Sequence, residues 1–97
     1  MNTYDVGDQV RITVQISDAD GVAVDPTLLT CFYRDPVGIV TERVYETDEA
    51  VIRDGAGAYY VDLVANRSGV WVYRWECSGT VTAAVEGQFT VRRSSFA

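Results

Sequence analysis

The chain has 97 residues, of which 47% are hydrophobic and 23% are charged, and this length and composition are typical of one globular domain. Fourteen acidic and eight basic residues, all of the latter arginine, give a net charge of −6, and there is no histidine. Binding to nucleic acid or to an anionic membrane depends on clustered positive charge, and histidine is the commonest general base. We therefore expect a single domain over 1–97 that binds neither nucleic acid nor membrane and has no catalytic residues, no metal ligands and no cofactor.

The first half of the chain predicts three strands, because apolar and polar residues alternate along it. The first strand covers 9–16, the second ends at Arg34 and the third covers about 39–45. Clusters of turn-forming residues separate the strands at 18–21 and 35–38. The side chains expected to face the core are Val10, Ile12, Val14, Ile16, Leu29, Cys31 and Tyr33.

The second half of the chain continues the same alternation after an acidic loop at 46–50. Four further strands are predicted, over 51–53, 57–63, 70–77 and a last segment that ends near Val91. Residues 92–97 are expected to form a flexible tail. The inward positions of this half are Tyr59, Val61, Leu63, Trp71, Tyr73, Trp75, Cys77, Val85, Gly87, Phe89 and Val91.

Seven short strands with short connections predict an all-β fold of antiparallel strands. At this length, two packed sheets would bury both inner faces, and a closed small barrel is the alternative. Trp71, Tyr73 and Trp75 lie on one face of a single strand, which is therefore expected to be central in its sheet. The same aromatic row would form a platform for stacking sugars if that face were exposed.

Six segments of the chain carry a resemblance to a known family. They are Tyr-x-Val-Gly-Asp-x-Val-x-Ile-x-Val at 4–14, Asp-x-Asp-Gly-x-x-Val-Asp-Pro at 18–26, Arg-Asp-Pro-x-Gly at 34–38, Arg-Asp-Gly-x-Gly-x-Tyr at 53–59, Ser-Gly-x-Trp-x-Tyr-Arg-Trp at 68–75 and Glu-Gly-x-Phe-x-Val-Arg at 86–92. In this order they resemble the small immunoglobulin-like β-sandwich proteins encoded among the head and neck genes of tailed bacteriophages and prophages.

This resemblance implies an immunoglobulin-like antiparallel β-sandwich and a non-enzymatic structural protein of a virion that assembles in the bacterial cytoplasm. The implied role is capsid decoration, with the major capsid protein or other virion proteins as partners and with self-association around the capsid axes. A neck or tail accessory protein is one alternative. A module that binds carbohydrate or a host surface is the other, and it requires exposed aromatic side chains.

Two cysteines, Cys31 and Cys77, are predicted to point inward on the second and sixth strands. In immunoglobulin-like domains those strands carry a disulfide between the sheets, so a Cys31–Cys77 bond is one interpretation. Two buried free thiols that act as small hydrophobic side chains are the other.

Three carboxylates, those of Asp18, Asp20 and Asp25, surround Gly21 in the first turn. Their spacing is similar to part of a calcium loop, but residue 29 is leucine where such a loop has its bidentate glutamate. Carboxylates that cap the turn are the favoured interpretation, and a weak cation site is the alternative.

Five apolar side chains are predicted to point outward and are the candidate interface residues: Leu28, Phe32, Tyr60, Val70 and Val72. A cluster of them on one sheet face would mark an interface, whereas scattered ones are ordinary. If the second and fifth strands are neighbours, Phe32 and Tyr60 would lie side by side. Edge strands are a second route to a partner, by strand addition.

Overall fold

The computed structural model describes residues 2–93, which form eight strands and no helix. The strands are β1 (Asn2–Asp5), β2 (Gln9–Gln15), β3 (Leu28–Arg34), β4 (Val40–Val44), β5 (Val51–Gly55), β6 (Ala58–Val64), β7 (Gly69–Ser78) and β8 (Ala83–Arg92). Seven of them correspond to the predicted strands. Arg92 ends β8 and therefore does not belong to a tail, while residues 94–97 lie outside the described residues.

The strands form two sheets that pack face to face as a β-sandwich. One sheet has five strands in the order β1-β8-β7-β3-β4, and the other has three in the order β2-β6-β5. Among the described residues each sheet has two edge strands and does not close on itself, so the alternative of a closed barrel is wrong. β7 bonds to a neighbour on both sides, which confirms the expectation that the strand bearing both tryptophans is central.

The strand β1 was not predicted, and its pairing contradicts the expectation that all strands are antiparallel. It runs parallel to β8, with Asn2 opposite Phe89 and Asp5 opposite Arg92. The ring of Tyr4 packs edge-on against that of Phe89, with 5.5 Å between centroids. The sequence did not predict β1 because four residues are too few to show an alternation, and because the strand with which β1 pairs is at the far end of the chain.

The core lies between the two sheets and contains the predicted aromatic row. Trp71 and Trp75 are buried, and Trp71 stacks on Phe89 at 5.8 Å between ring centroids. These indoles therefore do not form an exposed platform for sugars. The buried residues are Val10, Ile12, Ile16, Leu29, Cys31, Val51, Tyr59, Val61, Leu63, Ala65, Trp71, Trp75, Cys77, Phe89 and Val91.

One side chain predicted to be buried is exposed. Val85 points to the inner side of β8 but is 48% exposed, so its assignment to the core is wrong. It lies at the rim of the core, where with Val14 and Trp75 it lines a small cavity of about 70 Å³. The alternation gave the correct direction of the side chain, but the smaller sheet does not extend far enough to cover it.

The two cysteines are buried and free, so the Cys31–Cys77 disulfide is wrong and the two-thiol interpretation is confirmed. They lie on adjacent strands of the same sheet, since β3 pairs with β7, and Cys31 faces Trp75 while Leu29 faces Cys77. A bond between the sheets is therefore excluded by topology. Burial raises the pKa of the Cys31 thiol to about 12.

Candidate interaction surfaces

The outer surface of the five-stranded sheet carries four apolar side chains around β7, here called the outer β7 face: Phe32, Val40, Val70 and Val72. Arg34 of β3 lies between Val72 of β7 and Val40 of β4 in one cross-strand row. Val40 is 58% exposed and Val70 48%, while Phe32 and Val72 are half-buried. Neighbouring apolar side chains on one solvent-exposed sheet face form a patch suited to a protein contact.

Charged side chains alternate with the apolar ones on the outer β7 face. Phe32 lies between Glu42 of β4 and Arg74 of β7. The Arg74 guanidinium donates from Nε to Glu76 Oε2 at 2.7 Å and from Nη1 to Glu86 Oε1 at 2.8 Å, and these bonds raise the pKa of Arg74. A mixed apolar and charged surface of this kind is typical of contacts between proteins that also exist separately.

The structure separates the five predicted interface residues. Phe32, Val70 and Val72 belong to the outer β7 face, and Leu28 lies on the same sheet surface but at the far end of β3, opposite Ser78. Tyr60 is on β6, in the other sheet, so its outward side chain lies on the opposite surface of the sandwich. The expectation that Phe32 and Tyr60 lie side by side is therefore wrong, because their strands are not neighbours.

The surface around Tyr60 is a smaller cluster. The guanidinium carbon of Arg11 lies 3.8 Å from the centroid of the Tyr60 ring, and Arg11 also forms a two-point ion pair with Asp62 at 2.9 and 3.1 Å. Ile52 of β5 is the cross-strand neighbour of Tyr60. The arginine therefore covers one face of the Tyr60 ring.

A cleft of about 440 Å³ opens between the β3–β4 turn and the end of β6, with Tyr33, Asp35, Arg67 and Trp71 in its lining. Asp35 accepts hydrogen bonds from the backbone of the turn that it caps and lies 3.3 Å from Arg67 Nε. Trp71 Nε1 donates to the Arg67 carbonyl at 3.0 Å. These polar groups hold the turn in place.

The three carboxylates of the first turn do not converge. Asp18 Oδ1 accepts hydrogen bonds from the backbone N–H groups of Asp20 and Val22 at 2.9 and 3.0 Å, as the turn-capping interpretation predicts. Asp25 instead points to the β5–β6 hairpin. There it accepts hydrogen bonds from Arg53 at 2.9 and 3.2 Å, from Gly57 N at 2.9 Å and from Tyr59 Oη at 2.8 Å.

Two features of these surfaces were missed by the sequence interpretation. Val40 was assigned to a strand but not to an interface, although its pairing with Arg34 in a β3–β4 hairpin could have placed it on the same sheet face as Val72. The Asp25–Arg53–Tyr59 network has no local signal, because its members are 28 and 34 residues apart along the chain.

Comparisons with protein-family models, with curated proteins and with solved structures find no match. Within residues 2–93, no group of three or more His, Cys, Asp or Glu side chains is arranged to hold a metal ion. The same residues contain no helix with the length and apolar character needed to cross a membrane.

Proposed function

We propose that this chain is a non-enzymatic structural protein of a tailed-phage virion, and that it decorates the capsid by binding the head lattice. The observation that carries the proposal is the outer β7 face, an exposed apolar and charged surface on the larger sheet. The proposed partner is the major capsid protein, and the proposed location is the virion, assembled in the host cytoplasm. The six segments that resemble the phage family support this choice of partner.

We also propose that the sandwich is immunoglobulin-like. Two features support this topology: the first strand runs parallel to the last at one edge, and the aromatic strand is central in the larger sheet. A rigid sandwich of this kind offers its outer sheet face as a preformed surface, so little conformational entropy is lost on attachment.

The mechanism we propose relies on many weak contacts. Fully burying a valine side chain is worth about 1.5–3 kcal/mol, and Val40 and Val70 retain only about half of their surface for a partner to cover. One copy would therefore bind modestly, and a lattice that presents many equivalent sites would collect many copies. Copies that also contact each other would gain avidity.

Of the alternatives, a neck or tail accessory protein would use the same face on a different virion partner. The carbohydrate- or host-binding module is less favoured, because Trp71 and Trp75 are buried and Arg11 covers one face of the Tyr60 ring.

The direct test mixes purified protein with capsids that lack it and measures the amount bound against the concentration added. The variant Val70→Asp puts a charge on the outer β7 face, and Ile52→Asp puts the same charge on the opposite surface, where Ile52 is 41% exposed. We expect saturable attachment of the wild type and of Ile52→Asp, and attachment at least about tenfold weaker for Val70→Asp. Attachment that Val70→Asp leaves unchanged would rule out this face, and binding to neck or tail complexes alone would rule out decoration.

A further inference from the structure

The strand β2 is an open edge of the three-stranded sheet, since within residues 2–93 it bonds only to β6. At the ends of this ladder, Ala65 N donates to Asp8 O and Ile16 N donates to Gly57 O. Bonded residues alternate in an antiparallel pair, so the even-numbered residues of β2 bond to β6. The odd-numbered ones direct their N–H and C=O groups to the open side: Gln9, Arg11, Thr13 and Gln15.

The other edge strands are protected against pairing and β2 is not. β1 is only four residues long. β4 has five residues, among them the charged Glu42 and Arg43. β5 also has five residues, and its register with β6 is irregular between Arg53 and Gly55. Short length, charge and bulges are the usual protections of edge strands. β2 has seven residues and a regular register, and its single charge, that of Arg11, is held by Asp62.

The sequence of β2 is complementary to itself when reversed. Gln9 to Gln15 reads Gln-Val-Arg-Ile-Thr-Val-Gln, which is symmetric about Ile12 except that Arg11 corresponds to Thr13. We propose that two copies of this chain pair antiparallel along β2 about a two-fold axis at Ile12, so that the two three-stranded sheets become one. Gln9 would then face Gln15 of the other copy and Arg11 would face Thr13, and these odd-numbered pairs are the ones whose backbone groups are open.

The same two-fold axis brings the exposed Val85, at the start of β8, to the β1 end of the other copy. The first half of β2 lies beside Tyr4 and Phe89, which share a cavity of about 110 Å³ with Val10. The second half lies beside Val85, at the cavity that Val14 also lines. A two-fold at Ile12 exchanges these halves, so the β1 end of each copy would come to the uncovered start of β8 in the other.

The expected dimer is weak, because one strand pair and a few side chains cover much less than the surface of a standard interface. The inference goes beyond capsid attachment and does not depend on it. Its test uses the purified chain alone, so that the failure of one proposal is distinguishable from the failure of the other.

The test is sedimentation equilibrium of the full chain from micromolar to millimolar concentration, with three variants. Thr13→Lys places a lysine opposite Arg11 twice per dimer, and we expect the dissociation constant to rise about tenfold or more. Thr13→Glu makes the same contacts attractive, and we expect the dissociation constant to fall. General repulsion between chains of net charge −6 predicts the opposite order of dissociation constants. Thr13→Lys makes the net charge less negative and would strengthen association, whereas Thr13→Glu makes it more negative and would weaken association.

The control is Ile52→Lys, which adds the same charge to the same sheet at its other edge and is expected to leave dimerisation unchanged. Amide exchange gives the second readout. The N–H groups of Arg11 and Thr13 should exchange more slowly as concentration rises, while those of Val10 and Ile12 stay equally protected throughout. A chain that remains monomeric at millimolar concentration, or a dimer that Thr13→Lys does not weaken, would overturn the inference.

Discussion

At the scale of single residues, the Asp25 carboxylate joins the connection between β2 and β3 to the β5–β6 hairpin. The two-point bond from Arg53, helped by the backbone of Gly57 and by the Tyr59 hydroxyl, holds the pKa of Asp25 well below its ordinary value of 3.8. Burial and the bond to Asp25 raise the pKa of Tyr59 to about 12. One charged group thus fixes two chain segments that are distant in sequence.

This network predicts a pH dependence of stability. Because the folded pKa of Asp25 is depressed, its contribution is fully present above pH 3.8 and is lost as the pH falls toward the folded value. Asp25→Asn is therefore expected to lower the melting temperature at neutral pH, and the difference from wild type should shrink at acid pH. Thermal unfolding followed by circular dichroism at a series of pH values measures this. A melting temperature at pH 7 no lower than that of the exposed-turn control Asp20→Asn would contradict it.

The two buried thiols predict slow chemistry in the folded protein. The nucleophile in such a reaction is the thiolate, which attacks the disulfide of the reagent and displaces its chromogenic thiolate. Burial with a pKa of about 12 keeps the Cys31 thiol protonated. We expect both thiols to react rapidly only in denaturant, and the melting temperature to be unaffected by a reductant. The rate of reaction of the thiols is measured with a chromogenic disulfide reagent, with and without guanidinium. A folded protein with no titratable thiols in denaturant would mean that the cysteines are paired.

The residue scale also shows what alternation can and cannot predict. Parity along a strand gave the correct side for Trp71, Trp75 and Cys31, because successive side chains of a strand point to opposite faces. It did not give the sheet to which each strand belongs. Phe32 and Tyr60 are both outward as predicted, yet they lie on opposite surfaces, since sheet membership is decided by pairing between distant segments.

At the scale of elements, the β5–β6 hairpin depends on a glycine in the left-handed region. Gly57 has a φ of 69°, and a Cβ at this position would collide with the carbonyl of Ile16, the residue that follows β2. The Ile16 N–H also bonds to Gly57 O at 2.8 Å. The hairpin and β2 therefore meet at a point where only a residue without a side chain fits.

A pair of glycine substitutions separates the free-energy cost of the left-handed backbone from the cost of the steric collision. Gly21 has a φ of 81°, and a Cβ there would meet nothing, so Gly21→Ala is expected to cost about 1–2 kcal/mol for the left-handed backbone alone. Gly57→Ala adds the collision and should cost more than that. Chemical denaturation of both variants measures the difference. Equal losses would mean that the close contact with Ile16 does not constrain the fold.

The elements that the sequence could predict are those with local patterns. The hairpin β3–β4 was predicted from the alternation on both sides of an Asp-Pro-x-Gly turn. β1 could not be, because it pairs in parallel with β8 at the other end of the chain, and Tyr4 finds its partner Phe89 only in the folded state. The exposure of Val85 was missed for a similar reason, since it depends on the unequal size of the two sheets.

At the scale of the whole molecule, the sandwich offers an outer sheet face and an open edge that lie on different parts of its surface. The outer β7 face belongs to the five-stranded sheet, and the open edge is β2 of the three-stranded sheet. Attachment to a lattice through the outer β7 face would leave the β2 edge available for pairing between copies. This division lets the two surfaces be tested by separate variants, Val70→Asp for attachment and Thr13→Lys for pairing.

The central proposal is that this chain attaches to a phage capsid through the outer surface of its larger sheet. The most direct measurement is an electron cryomicroscopy map of particles that contain the chain. We predict repeated density for one sandwich per site on the head, with the strands around Val40 and Val70 against the shell. A map in which the chain contacts the shell through the three-stranded sheet, or in which it is absent from the head, would contradict the claim.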